Sequence, residues 1–85
     1  MLAADLSGWE IVSGRSLRKN FKFPNFAAAL AEVNRIGAIA EAEGHHPDIL
    51  LGWGKVQVEI STHAIAGLSE NDFILAAKID AITPA

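Results

Sequence analysis

Between Lys55 and Thr62 apolar and polar side chains alternate without a break, and few patterns restrict a fold more. Val56, Val58 and Ile60 fall on one face, and Lys55, Gln57, Glu59 and Ser61 on the other. That two-residue period is a strand with one buried side. Such a strand needs neighbours for its backbone groups and an apolar layer against its inner face. If the alternation runs on, Thr62 joins the apolar face and His63 the polar one.

The neighbours are read upstream. Trp9 to Val12 form a short apolar run that ends at Ser13-Gly14, a turn signal. Leu17, Lys19, Phe21 and Phe23 then alternate, so the two runs predict a β-hairpin. A further short strand is expected around Ile49 to Leu51, before the glycine-flanked Trp53. Two helices supply the layer. Phe26 to Glu43 is alanine-rich and free of proline, with Asn25 as N-cap and Gly44 placed to end it in a left-handed conformation. Phe26, Leu30, Val33 and Ala40 recur at helical spacing, with Ile36 and Ile39 widening the stripe. Gly37 is expected to admit another element closely. Ser69, with Asp72 three residues later, starts a last helix whose Phe73, Ala76, Ala77 and Ile79 lie on or near one face. The order β-β-α-β-α predicts an α+β fold with both helices on one face of an antiparallel sheet.

Eighty-five residues make one compact domain, taken as residues 1–85, and a domain so small leaves much of its surface exposed. Cysteine is absent, so neither a disulfide nor a thiolate can help it, yet 51% of the residues are apolar. Burial of that surplus between copies, as a homodimer or homotetramer, is the simplest expectation. A net charge of −3 argues against direct nucleic-acid binding, and the basic residues from Arg15 to Lys22 are interleaved with apolar ones. No apolar run nears the roughly 20 residues of a membrane span. The N-terminal stretch lacks the pattern of a signal peptide, so a cytoplasmic protein is expected.

Chemistry points to the three histidines, because imidazole alone titrates near neutrality without perturbation. His45 and His46 follow the first helix, and Pro47 biases His46 towards extended angles, so the two rings should diverge. His63 lies at the end of the best strand. Acid–base work is one reading, and solvated surface histidines the other. A metal site is the weakest, because adjacent histidines rarely chelate one ion and no cysteine is present. Glu41, one helical turn before His45, is either a solvated carboxylate or a partner for an imidazole or ligand. Asp72 has an ordinary role in a first helical turn. Trp9 and Trp53 are core or interface aromatics unless one presents its face to a planar ligand.

Glu41-Ala-Glu-Gly-His45-His46-Pro47, then Trp53, Thr62-His63 and Asp72, resembles the signature of the pterin-4a-carbinolamine dehydratases. Gly67 to Asp72 followed by Ala76, and upstream Gly8-Trp9 and Phe21 to Phe26, are similar to the same family. The resemblance spans nearly the whole chain. It departs in Trp53, where the family often has tyrosine, and in a shorter N-terminus, which bears on Trp9. The resemblance implies an antiparallel four-stranded sheet with two main helices packed on one face, assembled as a dimer or tetramer. It implies loss of water from 4a-hydroxytetrahydropterin to give quinonoid dihydropterin, with no metal and no redox cofactor. Carried over, His45 and His63 transfer protons and His46 assists. Glu41 binds the pterin ring, Asp72 orients a histidine, and Trp9 or Trp53 packs on the ring beside Pro47. Some relatives resemble dimerisation cofactors of a homeodomain transcription factor or assembly factors of a carboxylase, so a protein partner is a second expectation. A small binding module with incidental histidines is a third.

Overall fold

The computed structural model describes residues 8–62 and 68–83. Strand β1 (Glu10–Val12) turns through Ser13 and Gly14, both with positive φ, into β2 (Ser16–Lys22). Helix α1 (Phe26–Glu43) follows, then β3 (Asp48–Gly52), β4 (Lys55–Ile60) and α2 (Glu70–Ile82). The four strands form one antiparallel sheet in the order β1-β2-β4-β3. The short strand expected near Ile49 is therefore β3, and it forms the edge opposite β1. A two-residue turn joins it to β4. There Gly54 has φ +70°, and its carbonyl accepts from Phe23 N–H at 2.8 Å. A Cβ at Gly54 would lie 2.9 Å from the Phe23 carbonyl oxygen, so both conformation and space require glycine.

Val56, Val58 and Ile60 are buried as their alternation requires, and with Leu17 and Phe21 they make the inner face of the sheet. Ile36, Ala29, Leu75, Ala76 and Ile79 close the core from the helices. The buried residues of α1 are Ala29, Glu32, Ile36 and Ala40, whereas Phe26 and Leu30 are 44% and 41% exposed. Ile36 and Ala40 of the expected stripe are thus buried, and Val33 and Ile39 pack against the core, so the stripe departs only in the first turns, where Ala29 and Glu32 face inward in place of Phe26 and Leu30. Small alanines at 29 and 40 let the backbone approach the sheet, and Glu32 is tolerated inside because its carboxylate is paired. Arg35 Nη2 donates to Glu32 Oε1 at 2.7 Å, and the Thr83 hydroxyl donates to Oε2. Lys19, on the inner side of β2 between Leu17 and Phe21, is stabilised in the same way. Its ammonium meets Asp80 Oδ1 at 2.9 Å and lies 5.0 Å from the Phe21 ring centroid.

Gly37 does not admit a neighbour: among the described residues, no atom beyond its own helix lies within 4 Å of a Cβ built there. Gly37→Ala is therefore expected to raise stability by about 0.5–1 kcal/mol, read as a higher urea midpoint at unchanged slope.

On the outer face of the sheet, Arg18 stands directly opposite Glu59 and grips Oε1 with Nε and Nη2 at 3.1 and 3.0 Å. Ser16 Oγ donates to Oε2 at 2.8 Å. The Ser16 hydroxyl and then Arg18 hold the Glu59 carboxyl below its ordinary value, against the opposing effect of burial. A depressed carboxyl stabilises the fold above its unfolded pKa, and that contribution disappears as pH falls through the folded value. The stability gap between wild type and Glu59→Gln should accordingly be open at pH 7 and narrow as pH falls below the ordinary glutamate value of about 4.3, measured by denaturant titration across that range.

Candidate active site

Three element ends meet at one place. Helix α1 stops because Gly44 takes a left-handed conformation, φ 65°. Gly44 N–H then donates to the Glu41 carbonyl and His45 N–H to the Ala40 carbonyl, at 3.3 and 3.1 Å. This pair of bonds is the Schellman arrangement, and it turns the chain sharply back at His45. The imidazole lands on the first turn of α2, where His45 Nε2 lies 2.6 Å from Asp72 Oδ1. The carboxylate of Asp72 is completely buried.

Asp72 therefore does two things with its two oxygens. Oδ2 accepts from the backbone N–H of Ser69 at 2.8 Å, which is the helix cap expected from the sequence. It accepts also from the Thr62 hydroxyl, at 2.8 Å. Thr62 continues β4 beyond Ile60, so the sheet itself supplies this donor. Thr62 Oγ1 lies 2.8 Å from Ser69 Oγ. Thr62 was read only as part of the motif and Ser69 only as a helix cap, and neither was given a role at the site. The signal was present, since a threonine hydroxyl on the apolar face of a strand must find a buried partner.

His46 points elsewhere, as the following proline suggested. Its Nε2 meets Glu41 Oε2, and the pair is open to solvent, with His46 61% and Glu41 79% exposed. Glu41 is thus paired with the second histidine of the doublet, not the first. Pro47 is half-buried and leads straight into β3. Trp9 is tied two turns further along α2 than Asp72: its Nε1–H donates to Asp80 Oδ2 at 3.0 Å, and its ring meets Phe21 edge-on. Trp53 is 72% exposed in the β3–β4 turn, separated from Thr62 by the length of β4, about 30 Å of extended chain. The structure brings His45 and Asp72 together and sets the His46–Glu41 pair beside them, while each tryptophan lies apart. His63 falls outside the described residues. Among the described residues, no three histidine, aspartate or glutamate side chains cluster as metal ligands.

With Asp72 ionised, the carboxylate can only accept, so the hydrogen in the 2.6 Å contact belongs to His45 Nε2. A neutral His45 then keeps its lone pair on Nδ1, and a protonated one offers Nδ1–H. The imidazole is thereby a proton acceptor or donor with a fixed orientation, backed by a buried anion.

The sequence profile of the family described as pterin 4 alpha carbinolamine dehydratase matches residues 1–82. The chain belongs to this family. Relatives of the pterin-4a-carbinolamine dehydratase family carry the name "Putative pterin-4-alpha-carbinolamine dehydratase". One from Rubrobacter xylanophilus is 52% identical over 93% of this chain and 74% of its own length. One from Alkaliphilus metalliredigens is 54% identical over 85% of this chain and 65% of its own length. One from Halorhodospira halophila is 57% identical over 87% of this chain and 69% of its own length. A crystal structure described as a transcriptional coactivator/pterin dehydratase from Brucella melitensis superposes with a TM-score of 0.89 at 32% identity, over 98% of this chain and 89% of that one. A pterin dehydratase-like protein identified as a RuBisCO assembly factor in the alpha-carboxysome superposes with a TM-score of 0.77 at 25% identity, over 92% of each chain. The four-stranded antiparallel sheet with two helices on one face is thus the architecture of pterin dehydratase structures.

Proposed function

We propose that this chain dehydrates a 4a-hydroxytetrahydropterin to the quinonoid dihydropterin by histidine acid–base catalysis, regenerating a pterin cofactor after aromatic hydroxylation. The observation that carries the reading is the His45 imidazole set on the buried Asp72 carboxylate, at the junction beside the exposed His46–Glu41 pair. The C–O bond at C4a breaks with its electron pair leaving on oxygen, and a proton delivered there makes the leaving group water. The ring nitrogen next to C4a loses its proton, and the N–H pair becomes the new C=N bond. Protons and water move, but no electron is transferred, so the reaction calls for no redox cofactor, and imidazoles suffice without a metal.

In this scheme His45 exchanges one proton through Nδ1 and His63, the residue after Thr62, exchanges the other, with His46 assisting at the same region. Glu41 accepts hydrogen bonds from the pterin ring, and Pro47 borders it. An aromatic face from Trp9 or Trp53 packs on the pterin. Since neither tryptophan adjoins His45 within one chain, a second copy is a natural source of that face. Phe26 and Leu30, exposed and one turn apart on α1, support a homo-oligomer. Among the described residues no helix is long and apolar enough to cross a membrane, and we place the activity in the cytoplasm.

The test is decay of chemically generated 4a-hydroxytetrahydropterin, followed by stopped flow. Wild type should accelerate it, and His45→Ala should lose about 10²–10⁴-fold of that acceleration. Decay at the spontaneous rate with saturating wild-type protein would overturn the reading. The descriptions of the two solved relatives favour a second one, in which the chain serves a protein partner as coactivator or assembly factor. An inactive but folded protein in the same assay would support that alternative.

A further inference from the structure

We infer that the site is completed across a dimer: the β3 edges of two copies pair antiparallel about a two-fold axis at Leu50, which sets Trp53 of the partner subunit beside Pro47 and His46. The interface stands on the strand itself, whereas the part given to Trp53 of the partner subunit rests on the proposed dehydration. β3 is an edge strand, and among the described residues nothing pairs with its outer side. Hydrogen-bonded and non-hydrogen-bonded pairs alternate along an antiparallel ladder, and the pair closing a two-residue turn is hydrogen-bonded. Gly52 and Lys55 are that pair, so Gly52, Leu50 and Asp48 bond to β4. Ile49 and Leu51 therefore direct their N–H and C=O groups along the open edge. Within β3 no lysine or proline blunts that edge, and Leu50 is 57% exposed.

Charge and register choose the occupant. On the outer face of the sheet Asp48 stands opposite Glu59, and Lys55 opposite Lys22. Like charges directly opposite each other are destabilising. Asp48 and Lys55 are exposed, and among the described residues neither has an ion-pair partner. Gly52 leaves room for the Lys55 stem to lie across it, since a Cβ there would be 3.0 Å from Lys55 Cε. A two-fold axis at Leu50 sets Ile49 against the partner's Leu51, both with outward backbone groups. It also sets Gly52 against the partner's Asp48, so Lys55, crossing Gly52, meets that carboxylate. Symmetry makes this contact twice. Shifting by two residues sets Leu51 against the partner's Pro47, which has no N–H, or Ile49 against the partner's turn. In the chosen register the partner's Trp53 follows opposite Pro47, one residue from His46. Neighbouring strands lie only about 5 Å apart. The ring of the partner's Trp53, 72% exposed in its own chain, thus reaches the end of the site that the His46–Glu41 pair occupies.

The chain has no cysteine, so Leu50→Cys probes the axis without interference. Residues facing each other in a non-hydrogen-bonded pair lie about 4.5 Å apart at Cα, within the span of a disulfide. Mild oxidation should link this variant into dimers, while Arg15→Cys, exposed near the β1–β2 turn, should run as a monomer on a denaturing gel. Asp48→Lys and Lys55→Asp should each weaken dimerisation about tenfold or more by sedimentation, and the double variant should restore it. Each single change relieves a like-charge pair in its own chain, so lost association is not lost folding. Trp53→Ala should lose about tenfold in dehydration rate. Refolded together, His45→Ala and Trp53→Ala chains form mixed dimers in which one site has both native residues. Roughly half of the dimers are mixed, so about a quarter of wild-type activity should return, well above the separate variants. Failure of Leu50→Cys to cross-link, or no gain on mixing while wild type is active, would overturn the inference. Cross-linking in a protein that never accelerates dehydration would uphold the interface and count against the proposed reaction.

Discussion

Replacing Asp72 with asparagine is expected to cut the dehydration rate on the order of 10²–10⁴-fold while leaving the fold in place. The reason is the asymmetry of the site. Asp72 Oδ2 is approached by two donors, Ser69 N–H and the Thr62 hydroxyl, so the single carbonyl oxygen of asparagine belongs there. Its NH₂ group is then turned on His45 Nε2, which must accept. The ring is driven to the Nδ1–H tautomer, and the base that should face substrate loses its lone pair. In serine proteases an aspartate-to-asparagine change behind a histidine acts in this way, at a cost of about 10⁴ in kcat. The helix cap survives, because the backbone bond from Ser69 still finds an oxygen. Asp72→Ala removes cap and orienter together and should also lose about 1 kcal/mol of stability. Stopped-flow rates with circular-dichroism melts for both variants check this. Activity within a few-fold of wild type in Asp72→Asn would mean that Asp72 does not orient the catalytic ring.

The second large effect is on stability. Ile36 is completely buried at the centre of the α1 face that meets the sheet, so Ile36→Ala is expected to cost about 2–5 kcal/mol. A small domain has only about 5–15 kcal/mol in total, so much of the protein would be unfolded near its working temperature. Leu30, six residues earlier on the same helix but 41% exposed, should lose under about 1 kcal/mol on the same truncation. The pair tests directly which residues of the expected α1 stripe face inward, by denaturant midpoints at equal slope. Equal losses at the two positions would place Leu30 in an interface and Ile36 in a looser core than described.

The first turns of α1 show where sequence reading stops. Asn25 and Gly44 bound α1 as expected, because caps depend on the residue's own side chain and backbone freedom. Ser69 and Asp72 likewise announced the start of α2, and the alternation from Lys55 announced β4. Which side of α1 faces inward depends instead on how closely the helix can approach the sheet. Alanine at 29 and 40 decides that, against the larger Phe26 and Leu30. Glu32 has one local partner, Arg35 a turn along the same helix, but it and Lys19 sit inside only because Thr83 and Asp80 arrive from other places in the chain.

The site divides in the same way. The types of residue needed, histidines beside a proline-fixed turn and an acid in a first helical turn, were legible because they are local. The partner of each was not. Glu41 lay one turn from His45 in sequence but is bonded to His46, and Asp72, 27 residues on, took His45. Sequence alone determined the elements, their caps and the inventory of titratable groups, all set by interactions within a few residues. The tertiary structure decided which acid holds which imidazole. Hydrogen bonds reach only about 3 Å, and only the packing of both helices on the sheet brings such distant groups that close.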